Sequence, residues 1–540
     1  MILCSDAIIS HYTTSGVWGT VTLDALVKRA AQTHPDQMAL VDAPDRAQWT
    51  GGKPRAVTFR EAEDEITRIA TFFAAVGLEP DRVIGIQAPN TVDTLLTMLG
   101  AWRAGLIVSP FPLHWRHREI LKALSTVGAK AFITADRVEA RFLGEDARDA
   151  AADYFSLKFV FGLGSSVPEG VLELSPLVKE YGDAMDEVGR AVDKNAANHI
   201  ATLTWVQTKE GPAPVPRSHN HWISAGLMPF LEARLKSHSS LVVPFVMCGM
   251  TGIGAGLVPW LLSEGTLHLH HPIALHSMTD HARTVDADYI LAPGALAPHL
   301  DEAMQGWDTA VLAVWSPTST KPAPYVTRST FIDLHVLEEF GFVAKLRGTH
   351  ALPHNLELGA VHAPSGNSLG PKLLDLDRHD DTNQTLLALE GAMVPTACWP
   401  DAAPCMTTTD DGAVRTTLPV TITDGAITNV GRTGTIAPDS SELPHLDIIY
   451  SAFSGVSEAA AFLVEDDILG ARLMVAVVPS EGATVDVDAF YAYLDAERVS
   501  LAMLPHRILS LRSLPRLDTG DVDREKLARR SQPREKTAVA

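Results

Sequence analysis

The sequence predicts an α/β protein, with a large N-terminal domain of parallel or mixed sheets flanked by helices and a small C-terminal α/β or α+β domain. Three observations lead there. At 540 residues the chain exceeds what one hydrophobic core serves. From Thr22 to Thr134 it alternates helical and strand patterns, and after Val430 the alternation restarts in a segment of about one hundred residues, the size of a small domain. The expected division is 1–431 for the large domain, 432–530 for the small one and 531–540 for a flexible tail.

Within the first stretch, Leu23 to Thr33 and Phe59 to Val76 carry apolar residues at helical spacing, and Arg82 to Gln87 is a short apolar strand. Leu95 to Ala104 is helical again, and Gly105 to Pro110 reads as a buried strand closed by a proline turn. Leu121 to Val127 and Ala129 to Thr134 repeat the unit. Such alternation implies a mostly parallel sheet covered on both faces. The middle holds a histidine-rich strand, Leu267 to His271, expected at an exposed sheet edge, and a loop-like stretch from about Pro353 to Pro404 rich in turn residues. In the C-terminal part, Leu446–Phe453, Ala459–Val464, Arg472–Val478 and the helical Val487–Asp495 form the second alternating set.

Hydrophobic content of 46% and charged content of 20% are those of a globular protein. A formal net charge of −21 argues against nucleic-acid partners and anionic membrane surfaces, both of which require concentrated Lys and Arg. The four cysteines, Cys4, Cys248, Cys398 and Cys405, have no metal-ligand spacing and are too sparse for a disulfide framework, which fits a reducing compartment. With neither a signal-peptide pattern nor a membrane-length apolar run, the expected location is the cytoplasm.

Three stretches together resemble the AMP-forming acyl- and aryl-CoA synthetase superfamily, the adenylate-forming (ANL) enzymes. Val57 to Ala62, Gly77 to Ile86 and Ala88-Pro-Asn, with Ala101 to Gly105 and Val108 to Pro112, resemble the family's opening motif. Pro216-Arg-Ser-His-Asn resembles the end of its phosphate-loop motif. Asp466 to Gly470, Leu504 to Ile508 and Leu514 to Leu527 resemble its C-terminal domain.

The resemblance implies sites for ATP, magnesium, an acyl group and CoA, and the residues at those positions depart from the pattern. Where the family has a Ser/Thr/Gly-rich loop ending in Pro-Lys-Gly, this chain has Trp205 to Pro214, retaining Thr208 and Gly211. The prolines at 212, 214 and 216 have no N–H to offer phosphate, Glu210 would repel it, and Pro214 falls where the pattern is replaced. Lys209 is a cation without a family counterpart, and the segment is expected to be a surface loop. Ala344 occupies the position of the magnesium-binding glutamate after Phe340-Gly341, and Glu338 and Glu339 are expected to end a solvent-facing helix. Leu418 replaces the ribose-binding aspartate, with Thr417 before it. Arg432 survives, but Thr435 stands at the hinge position. Asp521 reverses the charge of the catalytic lysine. Trp315 and Pro317 lie where the family turns around adenine, as candidates to fill vacated space, and Ser440-Ser-Glu stands where Gly-Gly-Glu is usual.

The acyl pocket of the family implies a wall of His219, Asn220, Trp222, Phe245, Met247, Cys248 and Met250, with Cys248 and His219 as a nucleophile pair to be tested. His268 and His270 share a strand face, but no third ligand is evident and no metal is expected. Arg217 and Arg347 carry no assigned role. The expectation is a degenerate synthetase that binds an acyl or aryl group, or a partner protein, without adenylation and without a cofactor. Two alternatives stay open: an active ATP- and CoA-dependent ligase, and a scaffold subunit of a biosynthetic complex. A homodimer is also left open.

Overall fold

The computed structural model describes all residues except 140, 165, 183–194, 209–210, 272–274, 316–326, 349–350, 352, 365–369, 382–383, 410–411, 431–442, 467–469, 481, 498, 500–502 and 532–540. The chain divides into two compact units: residues 1–113, 119–318 and 323–433 form one, and residues 114–118, 319–322 and 434–540 form the other.

The large unit is mixed α/β. One sheet has eight strands in the order Gly341–Arg347, Phe331–Leu337, Ala310–Trp315, Tyr289–Pro293, Ser240–Val243, Thr266–Leu269, Met38–Asp42, Ala56–Thr58. Its interior pairs are parallel and its two outermost pairs antiparallel. A second sheet has seven strands, Gly211–Ser218, Ile200–Thr208, Ile107–Pro110, Val83–Gln87, Ala131–Ala135, Phe159–Leu163, Leu172–Glu173, parallel except for the first pair. The apolar strands Val83–Gln87 and Ala131–Ala135 are buried at every position, as parallel strands covered on both faces must be.

The helices Phe59–Ala75 and Val92–Arg103 pack against each other, and one continuous core unites both sheets. Thr58 starts the first of these helices with a capping box: its hydroxyl accepts the Glu61 N–H and the Glu61 carboxylate accepts the Thr58 N–H. Ser218 starts the helix His219–Glu232 in the same way with His221.

The stretch expected to be a loop contains strands Leu356–Glu357, Gly359–His362, Lys372–Asp381 and Gln384–Glu390, which join Val414–Thr423 and Ala426–Val430 in a third sheet, antiparallel throughout. Sequence alternation hides it because the outward positions of Lys372–Asp381 are crowded with charge, while Leu373, Leu374 and Leu376 are buried. The histidine-rich strand is not at an edge either. Thr266–Leu269 lies between Ser240–Val243 and Met38–Asp42, and His268, His270 and His271 are all buried.

In the small unit, strands Val456–Asp466, Gly470–Pro479 and Arg507–Ser510 form one sheet with helices Leu443–Ser451, Val487–Ala496 and Arg524–Ser531. Alternate residues feed two cores: Ala459 and Ala461 join Tyr450 and Phe490, whereas Ala460, Phe462 and Val464 join Leu514 and Leu527. The tail expected from 531 lies, after Ser531, outside the described residues. No helix among the described residues is long and apolar enough to cross a membrane.

Candidate functional site

The segment expected to be a surface loop is a β-hairpin. Ile200–Thr208 and Gly211–Ser218 stay in antiparallel register through Leu203–Pro216, Trp205–Pro214, Gln207–Pro212 and finally Thr208–Gly211. Backbone N–H groups alternate in direction along a strand, so prolines at 212, 214 and 216 remove donors from one side only. Gly211–Ser218 is an edge strand, and Ala213, Val215 and Arg217 keep their N–H groups for the ladder. The Thr208 hydroxyl donates to the Gly211 carbonyl at 2.8 Å, Trp205 Nε1 donates to Ser109 Oγ at 3.1 Å, and Gly211 has φ +107°. Lys209 and Glu210 lie outside the described residues.

At the far end of the hairpin, Arg217 is fully buried. It donates to the Glu339 carbonyl and, at 3.2 Å, to Thr204 Oγ; it lies 5.0 Å over the Trp222 ring and 3.8 Å from the Glu339 carboxylate. Glu338 and Glu339 do not end a helix. They form the turn between Phe331–Leu337 and Gly341–Arg347, with Glu338 at φ +51°. Burial raises the Glu339 carboxyl, against the pull of Arg217, the Thr204 hydroxyl and the Met250 N–H. Burial also lowers the Arg217 guanidinium to about 10, and burial with the Arg217 charge lowers His221 to about 3. Sequence reasoning missed this pair because Glu339 follows a second glutamate and looks like a solvated helix end.

The replaced positions take different surroundings. Pro214 sits opposite Trp205 in the hairpin. Ala344 is 2% exposed, and its N–H meets Met228 Sδ at 3.1 Å. Leu418 is fully buried in the third sheet, beside the buried Thr417 hydroxyl. In the small unit Asp521 is exposed, accepts from Thr519 Oγ at 2.9 Å and gives its carbonyl to the Leu517 N–H in a tight turn. Trp315 donates to the Asp333 carboxylate at 2.8 Å and packs over Gly294. Asp333 also holds Arg347, a fully buried ion pair that gives Arg347 a structural role. Arg432, Thr435, Pro317 and Ser440-Ser-Glu lie outside the described residues.

The acyl-wall candidates separate into two groups. His219 and Asn220 face the N-terminal segment: His219 Nδ1 accepts the Leu23 N–H at 3.2 Å, and the Asn220 amide bonds both the N–H and the carbonyl of Gly19. His219 lines a cavity of about 320 Å³ with Thr22, Lys28, Trp102 and Ile200. Trp222 is fully buried, its Nε1 donating to Thr202 Oγ at 2.7 Å. Met247 and Met250 are buried, and Met250 opens a π-helix, Met250–Leu257, next to the half-buried Phe245. Cys248 sits beside Glu339; burial and that carboxylate push its thiol up to about 12. That shift disfavours the thiolate that a His219-activated nucleophile would need.

The histidine cluster gains a fourth ring. His281 lies with its ring centroid 5.2 Å from that of His268 and 5.4 Å from that of His270, while His271 stacks on Trp49 and meets Glu139 at 2.9 Å. No group of three metal-ligating side chains placed to hold a metal ion occurs among the described residues.

Comparison with known proteins accords with this architecture. A family model described as "AMP-binding enzyme" matches residues 27–204. The 2-hydroxy-7-methoxy-5-methyl-1-naphthoate–CoA ligase of Streptomyces carzinostaticus is 23% identical over 97% of this chain and 95% of its own length. The salicyl-AMP ligase/salicyl-S-ArCP synthetase of Mycobacterium tuberculosis is 30% identical, over 40% of this chain and 36% of its own. Among solved structures, apo MbtA of Mycobacterium smegmatis superposes with a TM-score of 0.61 at 18% identity, covering 98% of both chains. The amide bond synthetase McbA of Marinactinospora thermotolerans gives 0.64 at 17% identity over 95% of this chain and all of its own.

Proposed function

We propose that this chain, which matches an AMP-binding enzyme model over residues 27–204 and a CoA ligase along nearly its whole length, is a member of the adenylate-forming superfamily of acyl- and aryl-CoA synthetases that does not adenylate. In this reading it binds a small acyl or aryl ligand, or a partner protein, in place of the ATP-driven reaction. The observation that carries it is the ladder that runs in regular register from Thr202–Arg217 to Thr208–Gly211. A phosphate cradle needs several converging N–H groups on a loop that has left the sheet. Here the N–H groups of Ala213, Val215 and Arg217 are spent on the ladder, and Pro212, Pro214 and Pro216 have none.

Ala344 and Leu418 support the same reading. Both are buried, and neither offers an oxygen to a magnesium ion or a ribose. With Asp521 in place of a cation, a growing negative charge on phosphate would be opposed instead of balanced. For the acyl side the candidates are Trp222, Met247 and Met250, buried apolar residues of the large unit's core. The test is pyrophosphate release across a panel of aromatic and aliphatic carboxylic acids with ATP, magnesium and CoA: this reading expects background rates for every acid.

The second reading is an active aryl-carboxylate–CoA ligase with an unconventional ATP site. It draws support from the end-to-end match to a naphthoate–CoA ligase. Acid-dependent pyrophosphate release with acyl-CoA formation would establish it and remove the first.

A further inference from the structure

The four cysteines are scattered at positions 4, 248, 398 and 405, yet the fold gathers them around one corner of the large unit. Cys4 Sγ lies 3.8 Å from His221 Nε2 and accepts from Thr396 Oγ at 3.9 Å. Cys248 and Cys405 both feel the Arg217–Glu339 pair, Cys248 through the carboxylate and Cys405 through the guanidinium. Cys398 and Cys405 go further: the Cys398 sulfur lies 3.4 Å from the carbonyl of Met406, the residue next to Cys405, and each thiol shifts the other's titration.

Ordinary chain geometry brings these two together. They bracket the connection from strand Gln384–Glu390 to strand Met406–Thr408, and the Cys398 thiol also reaches the Met406 carbonyl at 3.4 Å. Thr408 Oγ on the Thr396 carbonyl clamps the two ends of that connection side by side. All four cysteines are free in this structure. Cys398 is half-buried at the surface of the core, and Cys405 is fully buried beneath it.

The arrangement is asymmetric in a chemically useful sense. The neighbouring Cys405 thiol lowers Cys398 to about 6, while Cys398 and burial raise Cys405 far above the thiol range. One thiol is therefore half-buried and the more easily ionised of the two, and the other is its buried, protonated neighbour.

We propose that Cys398 and Cys405 form a redox-active dithiol, a site at which hydroperoxides drive reversible formation of an intramolecular disulfide. In the first step the Cys398 thiolate attacks the outer oxygen of a hydroperoxide ROOH. An S–O bond forms, the O–O bond breaks, and the departing RO⁻ takes a proton to leave as ROH, giving a sulfenic acid on Cys398. In the second step the Cys405 sulfur attacks Cys398; the S–S bond forms, the S–O bond breaks, and hydroxide leaves with the Cys405 proton as water. Two electrons pass from the dithiol to the peroxide, and a thiol reductant returns them. The disulfide would pin the connection that touches Thr396, Cys4 and His221, so the oxidised and reduced forms would differ at the Arg217 corner.

The test uses the full-length protein and hydrogen peroxide at one to a few equivalents. Oxidation is expected to remove the mass of two hydrogens per chain, lower the denatured thiol count from four to two, and yield a Cys398–Cys405 crosslinked peptide that dithiothreitol reverses. Cys398→Ser is expected to abolish the mass change. Cys405→Ala is expected to leave a dimedone-reactive sulfenic acid at Cys398, while Cys4→Ser and Cys248→Ser leave the crosslink in place. Phenylarsine oxide, which needs two neighbouring thiols, is expected to add once to the reduced protein and not to either pair variant, without dependence on oxidation. Oxygen addition with no crosslink, a disulfide through Cys4 or Cys248, a disulfide between chains, or failure of the arsenical to bind would each overturn the proposal.

Discussion

Arg217 and Glu339 meet in the interior 3.8 Å apart, from opposite ends of the large unit's two main sheets: Arg217 from the outermost strand of one, Glu339 from the terminal hairpin of the other. The guanidinium also caps the Glu339 carbonyl and lies over Trp222. Removing it leaves a half-buried carboxyl with its main favourable charge gone.

Arg217→Met is therefore expected to lower unfolding free energy by about 3–5 kcal/mol, the range for breaking a buried pair, measured by urea titration. The pH dependence follows from Glu339. Its folded pKa is raised, so its contribution to stability is fully present below the unfolded value and lost as pH rises through the folded one. Without Arg217 the folded pKa rises further, and stability of the variant should fall more steeply than wild type as pH is raised from the usual carboxyl range towards neutrality.

The histidine cluster gives the opposite slope. His268 and His281 are both held down to about 4, first by burial and then by the neighbouring imidazoles. A lowered folded pKa places their contribution above the unfolded value near 6.5 and removes it as pH falls towards 4. The urea midpoint should drop over that window, and His268→Leu should flatten the drop in part, since His270 and His281, also held down by burial, remain.

Cys248 should be inert in the folded protein. With its thiol near 12, the thiolate fraction at pH 7.5 is about one in thirty thousand. Iodoacetamide at that pH should label Cys398 first and Cys248 only on unfolding, read by peptide mapping; rapid native labelling of Cys248 would return it to consideration as a nucleophile.

A single charge reversal should not restore chemistry. Asp521→Lys places the family's cation in an exposed turn of the small unit, but the hairpin at Thr208–Gly211 and the buried Ala344 and Leu418 are unchanged. Pyrophosphate release by Asp521→Lys is expected to stay at background for every acid tested.

The parts of this fold legible in the sequence were those where local pattern and tertiary role coincide. Val83–Gln87 and Ala131–Ala135 are short apolar runs because both faces are covered, and they read directly as buried parallel strands. Lys372–Asp381 was illegible because its charges mask the strand period, and Thr266–Leu269 because histidines look like surface residues unless neighbouring rings and Glu139 receive them. In the site, the prolines at 212, 214 and 216 signalled the missing N–H donors, but not that the segment closes into a regular hairpin. The Arg217–Glu339 pair was hidden because 122 positions separate its members and no periodicity links them. For the Cys398–Cys405 neighbourhood the sequence shows only that the two cysteines lie close along the chain.

The central claim is that no ATP site remains, and calorimetric titration of the protein with ATP and magnesium addresses it most directly. The account predicts no saturable heat up to millimolar nucleotide. A saturable isotherm in or below that range, lost on omission of magnesium, would contradict it.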